Sequence, residues 1–197
     1  MARVKGSLVR TADRSIDPLF VDRWSPRAMS GEPITRDELF QLFEAARWAP
    51  SSGNSQPWRM LYAHRDGPHW PTFFGLLASG NQVWCVNAAV LVVFVSQRMR
   101  EGTDKPLPTH SYDTGSAWMS LACQGWISGY VVHGMAGFDY ERARTELGVP
   151  DGFHVDAMCA IGHPGPIDNL PESFRPRETP SPRKKVEEFA FEGEFVR

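Results

Sequence analysis

The sequence predicts an α+β fold, and three stretches carry that prediction. Thr35-Arg36-Asp37-Glu38 is a capping box, after which Leu39, Leu42, Phe43 and Ala46 repeat at helical spacing. Ala88 to Val95 is an unbroken apolar run of the kind that forms a central strand buried on both faces. From Asp113 a run of small and apolar residues continues to about Gly129, which predicts a helix of roughly 25 Å at 1.5 Å per residue. Between these stretches shorter strand and helix patterns alternate, so strands are interleaved among helices.

The elements follow in order. Residues 1–16 are polar and mixed in charge, and read as a flexible N-terminal arm ahead of a single domain over 17–197. The capped helix ends before Pro50, because proline cannot continue it. Met60 to Ala63 reads as a strand and Trp70 to Ala78 as a short helix. Residues 97–111, with Gly102, Pro106 and Pro108, read as an exposed excursion. In the long helix, Ala117, Ser120, Leu121, Gln124 and Ser128 leave part of the surface small-sided, so another helix can approach closely. Val131 to Met135 and Val155 to Ile161 read as strands, with a helix at Tyr140–Leu147 between them. The extended C-terminal tail, about 164–197, carries Pro164, Pro166, Pro171, Pro176, Pro180 and Pro182 and cannot build a core of its own.

Composition narrows the function. At 197 residues the chain suits one domain with a sizeable core. Hydrophobic content of 42% and charged content of 22% are those of a globular protein, and a net charge of −2 argues against a nucleic-acid partner. No run of about 20 apolar residues predicts a membrane span, and no secretory signal follows Met1. Cys85, Cys123 and Cys159 are odd in number and widely spaced, which fits buried free thiols in a reducing cytoplasm rather than disulfides or zinc. The six histidines form no close ligand pair, so no metal is expected.

The stretch Ala49-Pro50-Ser51-Ser52-Gly53-Asn54-Ser55-Gln56-Pro57-Trp58 concentrates backbone donors and small polar side chains without a charge. Held by a helix before it and a strand after it, it can present amides and hydroxyls to a flat polar ligand. An ordinary helix-to-strand connection uses the same residue types. Asp22-Arg23-Trp24-Ser25-Pro26-Arg27 offers two guanidinium groups around a hydroxyl, and by itself also reads as a solvated basic patch.

Together these two segments resemble the flavin-dependent nitroreductase family. The match continues at Asn81, at Asp113-Thr114-Gly115, at Gly134-Met135-Ala136-Gly137-Phe138, at Ala160-Ile161-Gly162-His163-Pro164 and at Arg183-Lys184-Lys185-Val186-Glu187-Glu188. It runs in order from about residue 17 to 190. The resemblance implies a mixed sheet flanked by helices, and a homodimer with the long central helix at its interface and the tail reaching over the partner. It also implies bound FMN, with NAD(P)H as reductant and a small electrophilic acceptor, a nitroaromatic or a quinone, taking its turn at the same place. Relatives of that fold also dehydrogenate, dehalogenate or fragment flavin, and a carrier or sensor that binds FMN without turnover is the reading outside catalysis.

Residue by residue, the resemblance assigns Arg23, Ser25, Arg27 and Arg183 to the cofactor's phosphate, with Lys184 as second choice in the tail. Planar guanidinium forks suit a dianion. It assigns Pro50, Ser51, Ser52 and Asn54 to the flavin ring of the neighbouring subunit, and Asn81 to the pyrimidine edge. Gly137 offers its backbone amide near N5, the atom that accepts hydride, and Trp24 and Ala136 join the contact set. Two positions depart from the pattern. Trp84 stands where a basic residue is common, and Lys185 where proline is usual. Neither Gly-x-Ser-x-Gly nor G-x-G-x-x-G occurs, which fits chemistry carried by a cofactor. His110, Ser111 and Tyr112 rim the 97–111 segment and read as surface-loop residues, with the substrate side as their alternative place.

Overall fold

The computed structural model describes residues 4–195. Helices α1 (Pro18–Asp22) and α2 (Arg36–Arg47) precede strand β1 (Trp58–His64). Helices α3 (Trp70–Leu76) and α4 (Ser79–Cys85) lead to β2 (Val90–Gln97), and α5 (His110–Ile127) to β3 (Val131–Met135). Helix α6 (Tyr140–Glu146) and strand β4 (Phe153–Gly162) complete the domain before the tail. The capping box forms as expected: the Thr35 hydroxyl accepts from the Glu38 amide, and Glu38 accepts from the Thr35 amide.

The sheet runs β1-β2-β4-β3 with every pairing antiparallel, where the resemblance implied a mixed sheet. The reason is topological. The crossover from β2 through α5 to β3 leaves a gap one strand wide, and β4 fills it antiparallel to both neighbours. Strand β2 is buried on both faces as its composition demands. Leu91, Val93 and Val95 face a core with Phe73, Leu76, Trp84 and Ala143, while Val90, Val92 and Phe94 face one with Leu39, Leu42, Ala117 and Leu121. The sheet is therefore the middle of three layers, with α2 and α5 on one face and α3, α4 and α6 on the other. Burying each such aliphatic side chain contributes about 1.5–3 kcal/mol.

Three sequence expectations need adjustment. Ala117 and Leu121, read as a small face open to another helix, are fully buried against α2 of the same chain. The close approach is real, but the approaching helix is internal. Residues 79–85, between the expected short helix and the buried strand, form a further helix, α4. Residues 1–3 of the expected arm and 196–197 of the tail lie outside the described residues. From Val4 onward the arm is tied down: Trp24 Nε1 donates to the Val4 carbonyl (2.8 Å), Ser7 donates to Asp22, and Arg10 donates to the Val21 and Arg23 carbonyls. Ser7 and Arg10 are thereby bonded to the domain, while Thr11, Asp13 and Ser15 stay exposed.

Candidate functional site

The segment after α1 is extended through Arg23 and is gripped along its length. Gly165 N donates to the Ala28 carbonyl, Ser30 N to the His163 carbonyl, and Asn169 Nδ2 to the Met29 carbonyl. Glu178 accepts from the Arg27 and Ala28 amides at 2.8 Å each. Nothing in the composition of the tail singled out this acid.

A cavity of about 300 Å³ opens beside that segment, lined by Trp24, Ser25, Arg27, His133, Arg177, Thr179, Ser181 and Arg183. It unites Ser25, Arg27 and Arg183 of the expected clamp with Trp24 of the wider contact set, and Arg23 is not in its lining. Arg23 lies at the same segment, and its Nε and Nη1 are buried with no hydrogen-bond partner. Burial, and to a lesser degree the positive charge of Arg183, holds the Arg23 guanidinium below its ordinary pKa. Arg10 is held down by burial and by Arg183 and Arg23 in turn. Such a cluster of cations is relieved by an anion. Lys184 and Lys185 stand apart from this cavity. With Arg183 they line a separate groove of about 730 Å³ between arm and tail, which holds none of the remaining candidates.

His133, Arg177, Thr179 and Ser181 were not singled out in the sequence. His133 is the informative one. Its Nδ1 donates to the Pro26 carbonyl (2.9 Å), its ring lies 4.7 Å from Trp84, and burial pushes its pKa down to about 4. Trp84, the departure from the family pattern, is a core residue: it is 1% exposed, and the Arg27 guanidinium sits 5.9 Å from its ring centre. An indole here holds the clamp arginine by cation–π contact where a lysine would have repelled it.

Asn81 and Gly137 come together. Asn81 Nδ2 and Ala78 N both donate to the Gly137 carbonyl, at 2.9 and 3.0 Å, and Trp84 Nε1 donates to Asn81 Oδ1. Gly137 is exposed, and among the described residues its N–H is given to no acceptor. A Cβ there would stand 2.7 Å from Asn81 Nδ2, so glycine is required to keep Asn81 in place. Ala136 borders a second cavity of about 350 Å³, lined also by Ser25, Phe94, Ser111, Thr114, Trp118, Met135 and Asp156. Ser25 is shared by the two cavities.

Pro50, Ser51, Ser52 and Asn54 line none of these recesses. Ser52–Asn54 form a 3-10 turn with Gly53, Asn54 and Gln56 at positive φ (58°, 52° and 46°). The buried carboxylate of Asp113 accepts from Ser52 N (3.1 Å) and Thr109 Oγ1 (3.0 Å), pinning the turn to the start of α5. Asp113 was part of a matched motif, yet its job of bracing the loop was not legible there. Of the thiols, Cys85 and Cys159 are buried as expected and burial raises their pKa, whereas Cys123 is only half-buried.

With this geometry in hand, likeness to known proteins becomes informative. The family model described as "Nitroreductase family" matches residues 21–68, which hold the first clamp residues and the loop. A solved structure described as an oxidoreductase containing FMN is 44% identical, with a TM-score of 0.92, over 100% of this chain and 99% of that one. The chain belongs to the nitroreductase family. A Mycolicibacterium smegmatis protein of 15.4 kDa, itself uncharacterised, is 33% identical over 63% of this chain and 82% of its own length. An NADH dehydrogenase of Thermus thermophilus is 27% identical over 72% of this chain and 83% of its own length. The α+β nitroreductase fold is thereby shown, and no helix among the described residues is long and apolar enough to cross a membrane.

Proposed function

We propose that this nitroreductase-family chain is an FMN-dependent oxidoreductase that takes hydride from NAD(P)H and passes it to a small electrophilic acceptor such as a nitroaromatic or a quinone. One observation carries the reading: the half-buried guanidinium of Arg23, with Nε and Nη1 buried and unpartnered, stands next in sequence to a cavity where Ser25, Arg27 and Arg183 converge. The donor set fits a terminal phosphate dianion, with planar forks, the hydroxyls of Ser25, Thr179 and Ser181, and no carboxylate in the lining. The similar oxidoreductase described as containing FMN supports the same choice.

In this reading Arg23, Arg27 and Arg183 hold the phosphate, and Ser25 donates its hydroxyl. Asn81, braced by Trp84, and the undonated amide of Gly137 face the ring edge. The flavin supplies two-electron chemistry; the protein orients it and keeps water away. The loop at Pro50, Ser51, Ser52 and Asn54 serves the site of a second subunit in a homodimer, in keeping with its place outside both cavities that hold the other candidates. Purified protein is expected to be yellow, to bleach with NADH or NADPH under anaerobic conditions, and to recover colour with a quinone. A yellow protein that neither reductant bleaches would be a flavin carrier, and the enzymatic reading would fail.

A further inference from the structure

The tail that follows β4 supplies one wall of the cavity at Arg27, and its residues alternate. Arg177, Thr179, Ser181 and Arg183 line the cavity, while Glu178 and the buried Pro180 between them turn toward the domain. That is the two-residue period of an extended chain, which Pro180 and Pro182 stiffen. Such a wall needs fastening, because it has no ladder of its own. Among the described residues, the backbone of 179–184 makes no hydrogen bond to another backbone group.

Two polar contacts fasten it to the rest of the chain. From the arm, Arg10 Nη1 donates to the Ser181 carbonyl at 3.2 Å, with Nη2 on the Arg23 carbonyl and Nε on the Val21 carbonyl. From the tail itself, Glu178 Oε1 accepts from the Arg27 and Ala28 amides at 2.8 Å each, and Oε2 accepts from the Arg27 amide at 3.1 Å. Both oxygens are given to main-chain amides and neither to a clamp guanidinium, so this acid does not compete with an anion for the arginines.

A carboxylate that only satisfied two loop amides would explain the bonds. It would not explain their place. Glu178 stands between two residues of one cavity wall and bonds the main chain of Arg27, a residue of the other wall. The spacing of the Arg27 and Arg183 side chains therefore depends on how the two walls are joined. A dianion gains fully from two guanidinium forks only when their spacing is set before it arrives.

We propose that Glu178 is a positioning residue of the cofactor site, a latch that joins the tail to the Arg27 segment and sets Arg183 opposite Arg27 for the phosphate. The inference rests on the FMN reading above and adds to it a residue outside the cavity lining.

The test follows FMN release from the yellow protein, by the fluorescence that free flavin regains on dilution. Glu178→Ala removes the acceptor, Glu178→Gln keeps one oxygen for the same amides, and Arg183→Ala removes the cation that the latch delivers. Loss of one charge-assisted contact speeds release by about 10-fold or more, and Glu178→Ala and Arg183→Ala are each expected to show it. Glu178→Gln should stay closer to wild type than Glu178→Ala does. With Glu178→Ala and Arg183→Ala combined, the acceleration should fall well short of the product of the two, because one acts through the other. Unchanged release in Glu178→Ala, no rescue by Gln, or a full product in the double variant overturns the proposal.

Hydrogen exchange on the same proteins reads the latch itself. The Arg27 and Ala28 amides should be slow in wild type and in Glu178→Gln and fast in Glu178→Ala, with the centre of α5 protected in all three. Equal exchange at those two amides in wild type and Glu178→Ala overturns the latch. Lost protection throughout α5 in Glu178→Ala would make the acid a requirement of the fold, and the proposal would fall in that way too. A wild-type protein that is colourless and takes up no added FMN overturns the cofactor reading first, and this proposal with it.

Discussion

At Arg23 two buried nitrogens of a half-buried guanidinium lack hydrogen-bond partners, and this imbalance fixes the sharpest expectation. A charge-assisted hydrogen bond contributes about 1.5–3 kcal/mol. Arg23→Ala should therefore weaken FMN binding by roughly 10- to 150-fold at about 1.4 kcal/mol per decade, measured by flavin fluorescence titration. An unaltered dissociation constant would take Arg23 out of the site. His133 gives a second expectation. Its folded pKa of about 4 lies below the ordinary 6.5, so between those values the unfolded chain binds the extra proton. The stability that neutral His133 contributes is complete above pH 6.5 and is lost as pH falls toward 4, by on the order of 3 kcal/mol. In urea unfolding of anion-free protein, His133→Asn, which can still donate to the Pro26 carbonyl, should lose less between pH 7 and pH 4.5 than wild type. Equal losses would show that His133 is not the titrating group. Neither His133 nor Glu178 could be picked out in the sequence, because each draws its role from a backbone partner more than a hundred positions away.

Among the elements, the capped helix, the doubly buried strand and the long helix were all legible, since each rests on local periodicity or capping. The antiparallel order of the sheet was not, because strand insertion is decided by how layers cover one another. The loop at 50–56 belongs to both descriptions. Its residue types announce a tight, polar turn, while its rigidity comes from Asp113 on a different element. Asp113→Ala would leave the Ser52 amide and the Thr109 hydroxyl without their acceptor, at a cost of about 1–3 kcal/mol. Hydrogen exchange at the Ser52 amide should accelerate relative to wild type, with the centre of α5 unaffected. Protection retained at Ser52 would show that the turn holds itself.

For the whole molecule, the burial of Ala117 moves the expected subunit contact around α5. The face that remains uncovered carries Tyr112 and Ile127, 79% and 65% exposed, and Trp48 beyond the end of α2 is 75% exposed. Ile127→Asp should shift the protein to a monomer in sedimentation velocity and release flavin with it, if the loop of one subunit completes the site of the other. A yellow dimer that persists would place the interface elsewhere.

The sequence by itself determined the α+β class, the capped and long helices, the buried strand, the residues of the polar loop and, through ordered motifs, the family. These are properties of short stretches, where spacing, capping and burial act over a few residues. Only the tertiary structure decided that Arg183, and not Lys184 or Lys185, shares a cavity with Ser25 and Arg27, and that Trp84 supports Arg27 and Asn81 instead of merely removing a charge. It alone showed that Ala117 and Leu121 of the small face of α5 are already covered and that a bulge turns Asp156 into a cavity. Those outcomes depend on which distant side chains compete for the same space and the same hydrogen bonds, and that competition is settled only when the layers pack.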